Sequence, residues 1–144
     1  MAQIGMMPPR AVGRPIRLMI IDDSPSVRRV FQRMLDDSLE VQIVASIGDA
    51  REAVEKIPIV NPDAITLDVE MPGLGGIEAL QEILRVKPDA KVIMLSALTQ
   101  AGAPTTDEAL RLGAVDCMCK PGLGVSASDF KKALCAKLAS LRQK

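Results

Sequence analysis

Residues 16–26 read IRLMIIDDSPS, and this stretch decides the fold. Ile16 to Ile21 form a short apolar run suited to a strand buried on both faces. Asp22 and Asp23 follow, then Ser24, a good N-cap, and Pro25 at the first helical position. Beyond them Val27, Val30, Phe31, Met34 and Leu35 recur on one helical stripe. A strand thus passes directly into an amphipathic helix, with two carboxylates at the junction.

Working outward, the same rhythm repeats. Val41 to Ala45 (VQIVA) gives a second strand. A helix then starts at about Asp49, with Ala50, Ala53, Val54 and Ile57 on one face, and is expected to break or kink at Pro58. Ala64 to Leu67 make a third strand ending at Asp68, and Ile77, Leu80, Ile83 and Leu84 mark a helix that stops before Pro88. Lys91 to Leu95 run into Ser96 as a fourth strand. Gly102 to Leu112 form a weaker helix with Gly113 as its C-cap. Val115 to Met118 give a fifth strand, and a last helix starts at about Ser128, with Phe130, Leu134, Leu138 and Leu141 on one face. Five alternations of strand and helix predict an α/β domain, a parallel sheet with helices on both sides. Residues 1–15, with Pro8, Pro9, Pro15, Gly5 and Gly13 and no periodicity, read as a flexible leader to a single domain over 16–144.

Composition removes whole classes of function. The 144 residues hold 18 Lys plus Arg against 18 Asp plus Glu, so the electrostatic footprint of a nucleic-acid binder is missing. There is no histidine, which excludes a Ser-His-Asp triad or a His-ligated zinc within this chain. With no Trp, no Tyr and two Phe, it offers no aromatic platform for stacking bases. Cys117, Cys119 and Cys135 read as small buried hydrophobes in a reducing compartment. No signal peptide and no run of membrane-spanning length is visible, so a cytoplasmic protein without membrane partners is expected.

The polar residues fall in one place. Asp22, Asp23, Asp68, Ser96 and Lys120 all follow the ends of strands, on the carboxyl edge where open parallel sheets keep their ligand crevice. If strands one and three are neighbours, the three aspartates converge. Carboxylates crowded together cannot all stay ionised without compensation. An all-oxygen donor set favours a hard cation, Mg²⁺ or Mn²⁺ in its place. Three carboxylates, one divalent ion and Lys120 sum to zero charge.

The strings IIDDS (20–24), LDVEMPGLGG (67–76) and CKPG (119–122) resemble the phosphoacceptor receiver domain of two-component response regulators. Within that family, ITLDVEMP (65–72), LSALTQAG (95–102) and LGAVD (112–116) are most similar to the receiver half of chemotaxis protein-glutamate methylesterases. The resemblance implies a flavodoxin-like, doubly wound sheet of strand order 2-1-3-4-5 with five helices. It implies Asp68 as the phosphoacceptor and a sensor histidine kinase as donor. Mg²⁺ would be held by Asp23 directly, by Asp22 mostly through water, by Asp68, and by the backbone carbonyl of Glu70. Lys120 would pair with Asp68, Ser96 would donate to a phosphoryl oxygen, and the Lys120–Pro121 bond would be cis. Ser96 and Cys117 occupy the family's switch positions, although Cys117 stands where an aromatic ring is usual. Gly75, with Gly73 and Gly76, would make the loop after Asp68 soft.

Output would pass to a catalytic domain or effector protein through the face of the fourth helix, fifth strand and fifth helix. The cations Lys131, Lys132, Lys137, Arg142 and Lys144 on the last helix read first as a solvated face and second as a dock for an acidic partner. Two architectures remain open, the regulatory part of a methylesterase and a stand-alone regulator or phosphate sink. A third reading is a pseudo-receiver that binds partners without phosphoryl transfer. No methylesterase activity is expected from this chain, because it has no base to activate a serine.

Overall fold

The run IRLMII is strand β1 (Ile16–Ile21), with every residue buried except Arg17. The computed structural model of the chain describes residues 14–71, 73–96, 104–121 and 126–142. Ser24 caps the helix that follows, α1 (Pro25–Leu35), by accepting from the Val27 N–H. The chain continues through β2 (Val41–Ile47), α2 (Ala50–Val60), β3 (Ala64–Asp68), α3 (Gly76–Val86), β4 (Lys91–Ser96), α4 (Pro104–Leu112), β5 (Asp116–Cys119) and α5 (Ala127–Arg142). All strand pairs are parallel and the sheet order is β2-β1-β3-β4-β5. This is the doubly wound, flavodoxin-like α/β arrangement.

Alternate residues of each central strand feed two separate cores, as the period of two requires. Met19, Ile21, Ile65, Leu67, Val92 and Met94 pack under α2, α3 and α4. Leu18, Ile20, Ile93 and Leu95 pack under α1 and α5. On that second face Phe31 of α1 meets Phe130 of α5 edge to face, with ring centroids 5.4 Å apart at 85°. The chain's two aromatic rings therefore clamp together the helices that carry them. Asp49 caps α2 through the Glu52 N–H, 3.0 Å away.

Three sequence expectations change. Pro58 does not end α2, which runs on to Val60 and closes on Asn61 in the left-handed region (φ 50°) with its N–H on the Ile57 carbonyl. Pro58 is exposed, so the carbonyl it leaves without a donor lies on the side where water can satisfy it. β2 is two residues longer than its apolar run, because Ser46 and Ile47 still pair with Ile20 and Ile21. β5 is shifted by one, to Asp116–Cys119, since Asp116 is the residue that pairs with Ile93 of β4. Of the expected leader, residues 1–13 lie outside the described residues, as do Gly102 and the rest of 97–103. Arg14 forms an ion pair with Asp63 at 3.3 Å. Among the described residues no helix is long and apolar enough to cross a membrane.

Candidate functional site

β1 and β3 are neighbours, with Ile21 paired to Leu67, so Asp22 and Asp68 leave the sheet side by side. Both are buried: Asp22 is 1% exposed and Asp68 0%. Each commits one oxygen to its own turn. Asp22 Oδ1 accepts from the Ser24 N–H and Asp68 Oδ1 from the Glu70 N–H, both at 2.9 Å. The second oxygens, Asp22 Oδ2 and Asp68 Oδ2, accept no directed hydrogen bond. What they face is Lys120 Nζ, 3.4 Å from Asp22 Oδ2 and 3.0 Å from Asp68 Oδ2.

Lys120 reaches the pocket because its backbone extends the β4–β5 ladder, its N–H donating to the Ser96 carbonyl at 2.9 Å. That bond fixes the ends of the two strands that carry Ser96 and Lys120. Asp23 is exposed, and one carboxylate oxygen from each of Asp22, Asp23 and Asp68 falls in a cluster no more than 4.8 Å across. Glu70 is also exposed and is tied to the site through its backbone N–H.

The electrostatics are those of a pocket short of positive charge. Burial pushes the Asp68 carboxyl up to about 6 from the usual 3.8. The Glu70 N–H and Lys120 pull it down, while the Asp22 charge adds to the rise. Burial alone would lower the Lys120 ammonium, but Asp68 and Asp22 outweigh it and hold Lys120 above its ordinary value. A divalent cation fits this donor set on two counts. The donors are all oxygens, and two buried carboxylate oxygens lack the hydrogen bonds that buried acceptors normally have.

Other expected site features fall as follows. Pro121 is buried, and the backbone holds no cis peptide bond among the described residues, so the Lys120–Pro121 bond is trans. This corrects the cis expectation: trans is the lower form of an X-Pro bond by about 0.5–1 kcal/mol, and Lys120 reaches both acids without the cis form. Cys117 lies on β5 opposite Met94, half-buried against the α2–α3–α4 core. Burial, then the charges of Asp116 and Asp107, push its thiol up. It is a packed thiol, not a reactive one.

The loop glycines are not alike. Gly73 has a positive φ of 77°, whereas a Cβ on Gly76 would collide with the Val69 backbone. The start of α3 is therefore pressed onto the loop after β3. On α5, Lys131 and Lys137 are engaged by Asp37 (3.3 Å) and Asp116 (2.5 Å).

One participant was missed in the sequence: Arg28 of α1 donates from Nη1 to the Asp22 carbonyl at 2.6 Å. Thr66, two residues before Asp68, carries a buried hydroxyl without a partner, but it belongs to the strand interior and not to the site. The signal for Arg28 was faint, a cation one turn into the helix that follows the acidic pair.

Comparison with known proteins gives one consistent answer. Residues 18–131 match the family model of the response regulator receiver domain. A protein-glutamate methylesterase/protein-glutamine glutaminase of Rhizobium etli is 44% identical over 110 residues, covering 76% of this chain and 31% of that protein. The crystal structure of the response regulator domain of Thermotoga maritima CheB superposes with a TM-score of 0.74 at 41% identity, covering 90% of this chain and 95% of that one. A chain of the CheX-CheY-BeF₃-Mg²⁺ complex of Borrelia burgdorferi matches with a TM-score of 0.74 at 28% identity, covering 88% and 91%. The chain spans about a third of the length of the curated relatives it matches.

Proposed function

The chain belongs to the response regulator receiver family, and from that premise we propose that it accepts a phosphoryl group on Asp68 and so switches an output in chemotaxis or related two-component signalling. The observation that carries this reading is Asp68 Oδ2, buried, without a hydrogen bond, and 3.0 Å from the Lys120 ammonium. That oxygen is the nucleophile. Its lone pair forms the bond to phosphorus as the phosphorus–nitrogen bond of a donor phosphohistidine breaks, and the electron pair stays with the donor ring. Two anions must approach each other, and the rate depends on charges already in place to oppose that repulsion. Lys120 supplies one such charge. Ser96 donates its hydroxyl to a phosphoryl oxygen once the group has arrived.

Asp23, Asp68 and the Glu70 carbonyl would hold Mg²⁺ directly and Asp22 would do so through water. Mg²⁺, or Mn²⁺ in its place, would supply the remaining neutralisation of the phosphoryl oxygens. Residues 16–144 act as the receiver unit, with residues 1–15 as a leader. A sensor histidine kinase is the donor, and the output leaves through α4, β5 and α5 to a catalytic domain or effector protein. The names of the relatives support the regulatory part of a methylesterase. The site of work is cytoplasmic.

Mass spectrometry tests the reading. With Mg²⁺ and acetyl phosphate the chain should gain one phosphoryl group, and Asp68→Asn should gain none. Full labelling of Asp68→Asn would remove Asp68 from this role. Purified chain should release no methanol from methylated receptor peptides above a buffer control.

A further inference from the structure

We propose that Arg28 is a positioning residue for the acidic pair, locking the Asp22–Asp23 peptide so that both carboxylates face the cation site. The proposal rests on the Mg²⁺-dependent reading above and extends it to a side chain outside the pocket.

Three of the four handles on Asp22 are fixed by its own surroundings. Its N–H donates to the Ile47 carbonyl at 3.1 Å, Oδ1 accepts from Ser24, and Oδ2 faces Lys120. The fourth, the Asp22 carbonyl, has left the sheet; the Ser24 turn encloses the peptide that follows but leaves the carbonyl itself without a bond from that turn. Arg28 holds it, with Nη1 at 2.6 Å. That peptide plane sets where Asp23 begins, and Asp23 is exposed with no side-chain hydrogen bond of its own among the described residues. Its direction is therefore inherited from the backbone that Arg28 pins. A charge-assisted bond from a planar guanidinium suits this task better than a neutral donor would.

A second observation shows that the bond is built into the neighbouring loop. The guanidinium lies over Gly48, between β2 and α2. A Cβ at Gly48 would sit 2.6 Å from Arg28 Nη1 and 3.3 Å from Cζ. Gly48 is exposed and its position needs no positive φ, and a side chain there would meet the end of Arg28 and displace the guanidinium. The loops after β1 and β2 thus meet through one arginine, and the first of them carries the metal-binding acids.

Electrostatics alone predicts the opposite outcome. Arg28 is a cation near a cation site, so deleting its charge should tighten Mg²⁺ binding if charge were all that mattered. If it positions the ligands, its loss should weaken binding, as the loss of groups that orient metal ligands generally does.

Calorimetric titration with Mg²⁺ alone separates the two. Arg28→Ala should weaken Mg²⁺ binding by about tenfold. Arg28→Lys should recover part of that loss, because one ammonium can still donate to the carbonyl. Gly48→Ala keeps every charge but pushes the guanidinium aside, and it should weaken binding in the same direction by a smaller factor. In chelator, the melting curves of Gly48→Ala and wild type should nearly coincide, which separates a binding effect from a folding one. Unchanged or tighter Mg²⁺ binding in Arg28→Ala, beside a wild type that binds, overturns the positioning role while leaving the receiver reading intact. A wild-type chain that binds no Mg²⁺ overturns both.

Discussion

Strand β3 carries an aspartate at each end, and the two are treated in opposite ways. Asp63, just before the strand, is saturated. It accepts the Arg17 N–H at 2.8 Å on Oδ2 and takes the Arg14 guanidinium on both oxygens, at 3.3 and 3.4 Å. Its own N–H returns to the Arg17 carbonyl at 2.8 Å. Asp68, at the far end, is fully buried, yet one of its oxygens has no hydrogen bond and its carboxyl is raised to about 6. Both acids have a cation within 3.3 Å. A cation nearby therefore does not distinguish structure from function here. The number of acceptor sites left open in a dry place does.

The largest expected effect breaks this comparison at its cations. Lys120→Ala removes the ammonium that faces the reacting oxygen, and acetyl phosphate labelling should slow by about 100-fold or more, the usual cost of losing one preorganised charge or donor. Arg14→Ala removes the cation of the other aspartate and should leave the labelling rate unchanged. Equal losses in the two variants would mean that the two ends of β3 do not differ as described.

A smaller effect concerns stability and has opposite signs at the two ends. Below about 3.8 the Asp68 carboxyl is protonated in both the folded and the unfolded chain, so its contribution to stability is fully present. Between 3.8 and about 6 the folded chain keeps a proton that the unfolded chain has released, and that contribution is lost as pH rises through about 6. At pH 7.5 in chelator, Asp68→Asn should therefore raise the unfolding free energy, by about 1–2 kcal/mol. Asp63→Asn should lower it, by less than about 1 kcal/mol because its ion pair is exposed. Urea unfolding from pH 4 to 8 checks both, and saturating Mg²⁺ should remove the Asp68 benefit. A loss of stability in Asp68→Asn under these conditions would mean that its open oxygen is not under stress.

How much of this could be read from the chain depends on the range of the forces involved. The pocket was legible because strand ends are set by short apolar runs, and in a parallel sheet all such ends lie on one edge. Asp22, Asp68, Ser96 and Lys120 needed only that rule and the adjacency of β1 and β3. Pro58 misled because local propensity says nothing about which side of a helix faces water. β5 slipped by one because its boundary follows its pairing with Ile93 and not the apolarity of Val115, which the structure leaves 37% exposed. Arg28 was missed for a third reason. Its long side chain acts on a carbonyl six residues back and over a glycine twenty residues ahead, and no periodicity marks such a contact.

A last, small effect lies between the two aspartates. Thr66 is 1% exposed in the middle of β3, paired in register with Ile20 of β1 and Ile93 of β4. Its side chain points, like theirs, to the core under α1 and α5, and its Oγ1 has no partner there. A buried hydroxyl without a hydrogen bond is a standing cost, and valine has nearly its shape without that group. Thr66→Val should raise the unfolding free energy by about 1 kcal/mol, a shift of roughly 3–5 °C in melting temperature for a domain of this size. The acetyl phosphate labelling rate should not change, because the hydroxyl lies within the apolar layer and Asp68 already has its Glu70 bond. If the variant is more stable and labels normally, open polar atoms in β3 matter for chemistry only at the strand's carboxyl end. If labelling slows while stability rises, the hydroxyl serves Asp68, and the boundary between scaffold and site moves one layer deeper into the sheet.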